Sequence, residues 1–213
     1  MATSQPPANP PDPTPDPIPD QPGGAGLAKL ALRDQLSTAR KRLPVTELGV
    51  CSRALAGHLL SAPEVAGAAT VAAYVSIGSE PGTSWLLEGL ARRGTRVLLP
   101  VLLPDDDLDW AVHGGEGSLA GGRLGLLEPA GERLGTDAIA GADAVLVPGL
   151  AVSRTGMRMG RGGGSYDRAL ARVPLGTFTC VLLYDGETDH DVPAEAHDRA
   201  VGAVATPSGI RRF

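Results

Sequence analysis

No stretch of this chain offers the roughly 18 uninterrupted apolar residues that a membrane span requires, and its start lacks the basic head and apolar centre of a secretory signal. Neither membrane insertion nor export is expected, and the chain reads as cytoplasmic. Positive charge is also short: 19 Lys and Arg stand against 24 Asp and Glu, a formal charge of −5. Wholesale nucleic-acid binding wants a clustered basic face, so no nucleic-acid partner is expected, while local positive charge at a site remains allowed. Cysteine occurs twice, at Cys51 and Cys180, far apart and among apolar neighbours. That usage suits reduced, buried thiols, not a disulfide framework or a nucleophile. The histidines show no metal-ligand spacing: His58 falls on a helix, His113 and His190 in polar loops, and His197 stands out only by its adjacency to Asp198. Internal repeats are absent.

What the chain has in abundance is glycine, 29 residues, and proline, 19. Proline concentrates at the start, where Pro11-Asp12-Pro13 and Pro15-Asp16-Pro17 break helix and strand alike. Residues 1–26 therefore read as a disordered Pro/Asp-rich tail with nothing to nucleate a core. Residues 27–207 form one domain of ordinary size, with 208–213 left as a short C-terminal tail. Leu32, Leu36, Ala39 and Leu43 recur at spacings of one helical stripe that ends before Pro44. Thr46 then caps a second helix with Leu48, Cys51, Leu55 and Leu59 inward. Residues 70–76, 96–103, 144–147, 177–183 and 201–205 are short apolar runs, the mark of strands buried on both faces. Helices at about 85–93 and 165–172 complete βαβ units, which predicts a single-domain α/β fold with a doubly wound, mainly parallel sheet and helices on both faces. Ligands gather at the carboxyl ends of such strands. Asp105-Asp106-Asp107 reads as a solvated turn between strands, and Trp85 and Trp110 as packing residues.

One of those carboxyl ends is unusual. The run Val147-Pro148-Gly149-Leu150-Ala151-Val152 leads, eight residues later, into Gly160-Arg161-Gly162-Gly163-Gly164-Ser165-Tyr166-Asp167. A glycine-rich loop that opens a helix leaves backbone N–H groups free for an anion. It is not a Walker loop, because no lysine follows the glycines, and not a dinucleotide fingerprint, because Ser165 stands where glycine is needed. Arg158 and Arg161 bring charge, the glycines permit close backbone approach, and Asp167 suits the Mg2+ of a nucleotide.

These residues carry a resemblance. Pro148-Gly149-Leu150-Ala151-Val152 followed by Arg158-Met159-Gly160-Arg161-Gly162-Gly163-Gly164-Ser165-Tyr166-Asp167-Arg168 is similar to the signature of the 5-formyltetrahydrofolate cyclo-ligase family, also called 5,10-methenyltetrahydrofolate synthetases. The usual form is P-G-[VL]-A-F-D, then R-[LM]-G-[RY]-G-x-G-Y-Y-D. Three further segments match in order: Lys29-x-x-x-Arg33, Tyr74-Val75-Ser76-Ile77 with Glu80 and Thr83, and Val192-Pro193-x-x-x-His197-Asp198. The chain departs from the pattern at Ser165, where a tyrosine is usual, at Gly163, where some members carry lysine, and at Val152-Ser153.

The resemblance implies an ATP-dependent ring closure of 5-formyltetrahydrofolate to the 5,10-methenyl form, with Mg2+ as cofactor and ATP as cosubstrate. It assigns Lys29, Arg33, Arg158, Met159, Gly160, Arg161, Gly162, Gly163, Gly164, Ser165 and Tyr166 to ATP. Val75, Glu80, Arg161, Gly163 and Ser165 fall to the folate, and Asp167 and Asp198 to the metal. No covalent nucleophile is implied. Spacing alone leaves Lys29 and Arg33 as a solvated basic face of the first helix, beside its apolar stripe. Two other classes stay open at this point: a non-catalytic folate- or nucleotide-binding protein on the same scaffold, and a sugar-phosphate isomerase or coenzyme A transferase of similar architecture.

Overall fold

Continuous apolar runs make central strands here because both faces of the sheet are covered. The computed structural model describes residues 24–115, 117–195 and 198–213. In chain order the elements are α1 (Gly24–Lys41), α2 (Val45–Ser61), α3 (Pro63–Ala66), β1 (Thr70–Ala72), α4 (Ser84–Arg92), β2 (Arg96–Leu102), β3 (Leu108–Val112), β4 (Leu119–Gly121), β5 (Leu127–Pro129), β6 (Ala144–Pro148), β7 (Ala151–Val152), β8 (Arg158–Met159), α5 (Ser165–Ala171), β9 (Phe178–Leu182), β10 (Ala203–Thr206) and β11 (Gly209–Arg212), with 3-10 turns between some of them. The main sheet has seven strands in the order β11-β10-β9-β6-β1-β2-β3. The five inner strands, β10 to β2, pair in parallel, and antiparallel β11 and β3 close the two edges.

Side chains alternate between the two faces, as the strand period of two requires. Val71, Val97, Leu99, Leu146 and Leu182 pack against α2, α3 and α4, whereas Ala72, Leu98, Val145, Val147 and Val181 pack against α5, the turn Thr136–Gly141 and the indole of Trp110. Trp110 is 1% exposed. Trp85, by contrast, lies half open to solvent with the Arg53 guanidinium 4.7 Å over its ring. The expected doubly wound sheet with helices on both faces is the observed architecture. Chain order reverses between β1 and β6, where one branch runs out to β2 and the other to β9, and a crevice opens at the carboxyl ends of those two strands.

Helix α1 does not lie on either face. It packs through Leu36, with help from Leu32, against Leu150, Ala151, Met159 and Val192 at the carboxyl end of the sheet. Its inward stripe is Lys29, Leu36 and Arg40, with Arg33 half-buried beside them, whereas Ala39, expected inside, is exposed. The helix turns basic residues inward because the groups it meets are carbonyls and carboxylates, and an apolar-periodicity argument has no term for that.

Other expectations are corrected. Thr46 is exposed within α2, whose N-cap is Pro44, with no side-chain cap. The strand expected over 70–76 pairs only over Thr70–Ala72. Residues 208–213, read as a tail, supply β11, paired with β10 from Ala203↔Arg212 to Thr206↔Gly209. Helix α1 begins at Gly24, inside the segment read as tail; the rest of that segment, 1–23, lies outside the described residues, as does His197. Of the acidic triplet, Asp107 is not solvated: it is buried and forms a two-pronged bond to Arg172 of 2.5 and 3.0 Å. Both cysteines are free, Cys180 buried and Cys51 half-buried.

Candidate active site

The crevice at the switch point is a cleft of about 450 Å³. All of Lys29, Arg33, Val75, Glu80, the loop from Arg158 to Asp167, and Asp198 line it, although they come from segments separated by most of the chain. The β6 side supplies charge and the β2–β3 side supplies hydrocarbon.

On the charged side, Lys29 is 5% exposed and donates to Asp198 Oδ2 at 2.7 Å, with Glu195 Oε2 at 3.2 Å. Burial pulls its ammonium down, but the hydrogen bonds and charges of Asp198 and Glu195 more than offset this and leave its pKa raised. Arg33 donates from Nε to the carbonyl of Gly160 at 3.0 Å, and its guanidinium lies against Gly162. The basic helix thus backs the glycine loop directly. In that loop Gly162 and Gly164 take φ of 107° and 69°, values that a side chain disfavours. Gly164 is the N-cap of α5, and no side chain caps the helix start. Arg158, 5% exposed, donates to Asp167 Oδ1 at 2.9 Å and stacks 5.9 Å from the Tyr166 ring. Burial holds its pKa below the usual arginine value, against the pull of Asp167, Tyr166 and Asp198. Met159 contributes backbone only: its side chain is in the core and its carbonyl accepts from the N–H of Leu150 at 2.7 Å.

Glu80 stands across the cleft. It is 9% exposed, accepts from the Ile77 N–H at 2.9 Å, and meets Arg161 at 3.1 Å. Burial raises its pKa, opposed by the Ile77 hydrogen bond and the Arg161 charge. Thr83 ties the same arm down, donating to the Tyr74 carbonyl at 2.8 Å and accepting from the Ser76 N–H at 3.0 Å.

The hydrocarbon wall was missed by sequence reasoning. Pro100, Leu102 and Leu108 from β2 and β3, with Leu124 and Leu126 from the β4–β5 connection and Leu127 at the start of β5, complete the cleft. The signal was available: Leu124, Leu126 and Leu127 are large apolar residues clustered around Gly125, and Leu124 and Leu127 stay 84% and 50% exposed.

A divalent ion such as Mg2+ takes hard oxygen ligands, commonly one or two carboxylates with water and substrate phosphates for the rest. Asp167 and Asp198 have that chemistry and both line the cleft, whereas no group of three or more metal-binding side chains is gathered among the described residues. The donor set fits an ion completed by phosphate oxygens, not a protein-only cage.

Open α/β sheets hold ligands at such a switch point, and the arrangement defines an α/β protein built to take a small, partly anionic molecule. The family model described as the 5-formyltetrahydrofolate cyclo-ligase family matches residues 26–207. The chain is 40% identical over 185 residues to the 5-formyltetrahydrofolate cyclo-ligase of Mycolicibacterium smegmatis, covering 84% of this chain and 94% of that one. It is 32% identical to the Escherichia coli enzyme of the same name, over 73% and 87% of the two chains. Among solved structures, the 5,10-methenyltetrahydrofolate synthetase of Aquifex aeolicus superposes with a TM-score of 0.75 at 28% identity, covering 86% of this chain and 92% of that one. The chain therefore belongs to the 5-formyltetrahydrofolate cyclo-ligase family, and it is a ligase of folate one-carbon metabolism. No helix among the described residues is long and apolar enough to cross a membrane.

Proposed function

We propose that this chain closes 5-formyltetrahydrofolate to 5,10-methenyltetrahydrofolate, consuming one ATP and releasing ADP and phosphate. One observation carries the reading: the basic groups Lys29, Arg33, Arg158 and Arg161, the glycine loop, two aspartates and the buried Glu80 share a single cleft of about 450 Å³ with an apolar wall.

A formamide oxygen is a poor leaving group, so the reaction needs it converted into a good one. The formyl oxygen forms a bond to the γ-phosphorus while the bond from that phosphorus to the bridging oxygen of ADP breaks. N10 then bonds to the formyl carbon and gives up its proton, and the C–O bond breaks to release phosphate. Phosphoryl transfer of this kind is accelerated by positioning and charge stabilisation. Lys29, Arg33, Arg161 and the N–H groups of Gly162, Gly163 and Gly164 hold phosphate oxygens, with Ser165 and Tyr166 beside them. Glu80 accepts from pterin N–H donors, Val75 and the leucine wall pack against the rings, and the wall keeps water from the activated carbon. Asp167 and Asp198 would hold a Mg2+ ion, which would supply neutralisation of phosphate charge. No thiol takes part: burial pushes both Cys51 and Cys180 up, away from the thiolate form.

The test is to supply purified protein with 5-formyltetrahydrofolate, with and without Mg·ATP, and to follow the ultraviolet band of the methenyl product together with ADP. Product that appears only with Mg·ATP, one ADP per turnover, is the expected result. Folate binding without turnover would reduce the chain to a binding protein on this scaffold, and product without ATP would assign a different chemistry.

A further inference from the structure

Helix α1 is held by remarkably little hydrocarbon for the task it performs. Leu36 is its one fully buried large apolar side chain among the described residues, Leu32 is half-buried, and Leu27 and Leu30 face solvent. Yet its first turns must hold Lys29 at Asp198 and Arg33 on the glycine loop, both in the cleft. The second anchor is Arg40, three turns further along the same face and about 16 Å away at 1.5 Å rise per residue.

Arg40 is 2% exposed and does not line the cleft. Its Nε and Nη2 grip the two carboxylate oxygens of Glu187 at 2.6 Å each, and Nη2 also donates to the carbonyl of Gly149 at 2.7 Å. Glu187 accepts in turn from the Tyr184 N–H at 2.9 Å, and the Arg40 guanidinium lies 5.4 Å from the Tyr184 ring centroid. Gly149 is packed tightly against the neighbouring strand, where a Cβ would stand 2.6 Å from Val181. A planar fork engaged on three oxygens fixes the rotation and axial setting of a helix in a way that an apolar contact does not. A buried ion pair is often no more stabilising than a packed apolar pair of the same size, so its geometry is what distinguishes this one.

We propose that Arg40 is a positioning residue for the nucleotide: through Glu187 and Gly149 it sets helix α1 against the carboxyl end of β6, and so sets Lys29 at Asp198 and Arg33 against the glycine loop. The proposal rests on the reading of those two side chains as phosphate contacts. Its test replaces the pair by hydrocarbon of similar volume, Arg40→Met with Glu187→Leu, and compares kinetics and amide exchange with the wild type at equal folded fraction. The double variant takes away the partners of the Gly149 carbonyl and the Tyr184 N–H, so it should melt lower than the wild type, and at equal folded fraction its kcat/KM for ATP should fall on the order of 10- to 100-fold, the scale of a small misplacement. The KM for folate should not change, and amides of the first half of α1 should exchange faster. Glu187→Gln, whose one carbonyl oxygen can still accept from Arg40 Nη2 and the Tyr184 N–H while its NH2 faces Arg40 Nε, should show the same losses to a smaller degree; it decides the matter if the double variant does not fold. Wild-type kcat/KM for ATP in a folded variant overturns the proposal, as does an equal rise in both KM values, which would mark a general structural role. If the wild type itself makes no product with Mg·ATP, the functional reading falls, and unchanged amide exchange in α1 of the variants would then overturn the positioning claim separately.

Discussion

Glu80 is the residue whose environment conflicts most with its charge. Burial raises its pKa, so the folded chain binds a proton there more readily than the unfolded chain does. Stability therefore falls as pH rises from the ordinary glutamate value through the raised folded value, and the whole cost remains above it. Arg161 offsets little of this, being 56% exposed. Glu80→Gln keeps an acceptor for the Ile77 N–H and removes the buried charge, so it should raise the melting temperature at pH 7 and flatten its fall between mild acid and neutrality. The same change should raise the KM for folate, because the amide presents a weaker acceptor to pterin donors. A variant that melts lower at neutral pH would show that the carboxylate is net stabilising where it stands. Glu80 was visible in the sequence because it follows a strand at its carboxyl end and sits in a matching motif. Arg40 was not: its partner Glu187 is 147 positions away, and local periodicity placed Ala39, not Arg40, on the inner stripe.

At the level of elements, the glycine loop separates conformational need from space. Gly164 sits at φ 69°, with Arg168 Nη1 3.2 Å from where a Cβ would be. Gly163 has no positive φ, and a Cβ there meets only Ser165 Oγ at 3.5 Å. Gly164→Ala should cost about 1–2 kcal/mol, the usual penalty for a side chain in the left-handed region, seen as a lower urea midpoint with an unchanged slope. Gly163→Ala should leave the midpoint where it is; equal loss in both would mean that backbone conformation is not what the loop requires. The inner strands were legible because burial on both faces leaves an unbroken apolar run. Strand β3, Leu-Asp-Trp-Ala-Val, and strand β11, Gly-Ile-Arg-Arg, were not, since an edge strand with polar side chains carries no such mark.

For the whole molecule, that last strand matters more than its sequence suggests. The family match ends at residue 207, yet β11 covers the open edge of β10, Arg212 forms a two-pronged bond to Glu64 at 2.8 and 2.9 Å, and the Phe213 ring packs against Gly156. A chain ending at Pro207 would leave unpaired the ladder groups on the outer edge of β10, the side away from β9, and an unpaired edge recruits other chains. Such a chain should melt lower and elute partly as aggregate in size-exclusion chromatography; a monomer of unchanged stability would show that β11 is dispensable. The two tryptophans, finally, give the molecule an internal optical contrast. Trp110 is sealed in the core and Trp85 is 41% exposed beneath Arg53, so folded protein emits from two populations, one shielded from a collisional quencher and one open to it. Unfolding makes both accessible, and the shielded fraction of the fluorescence then counts folded molecules in every variant described above without any added label.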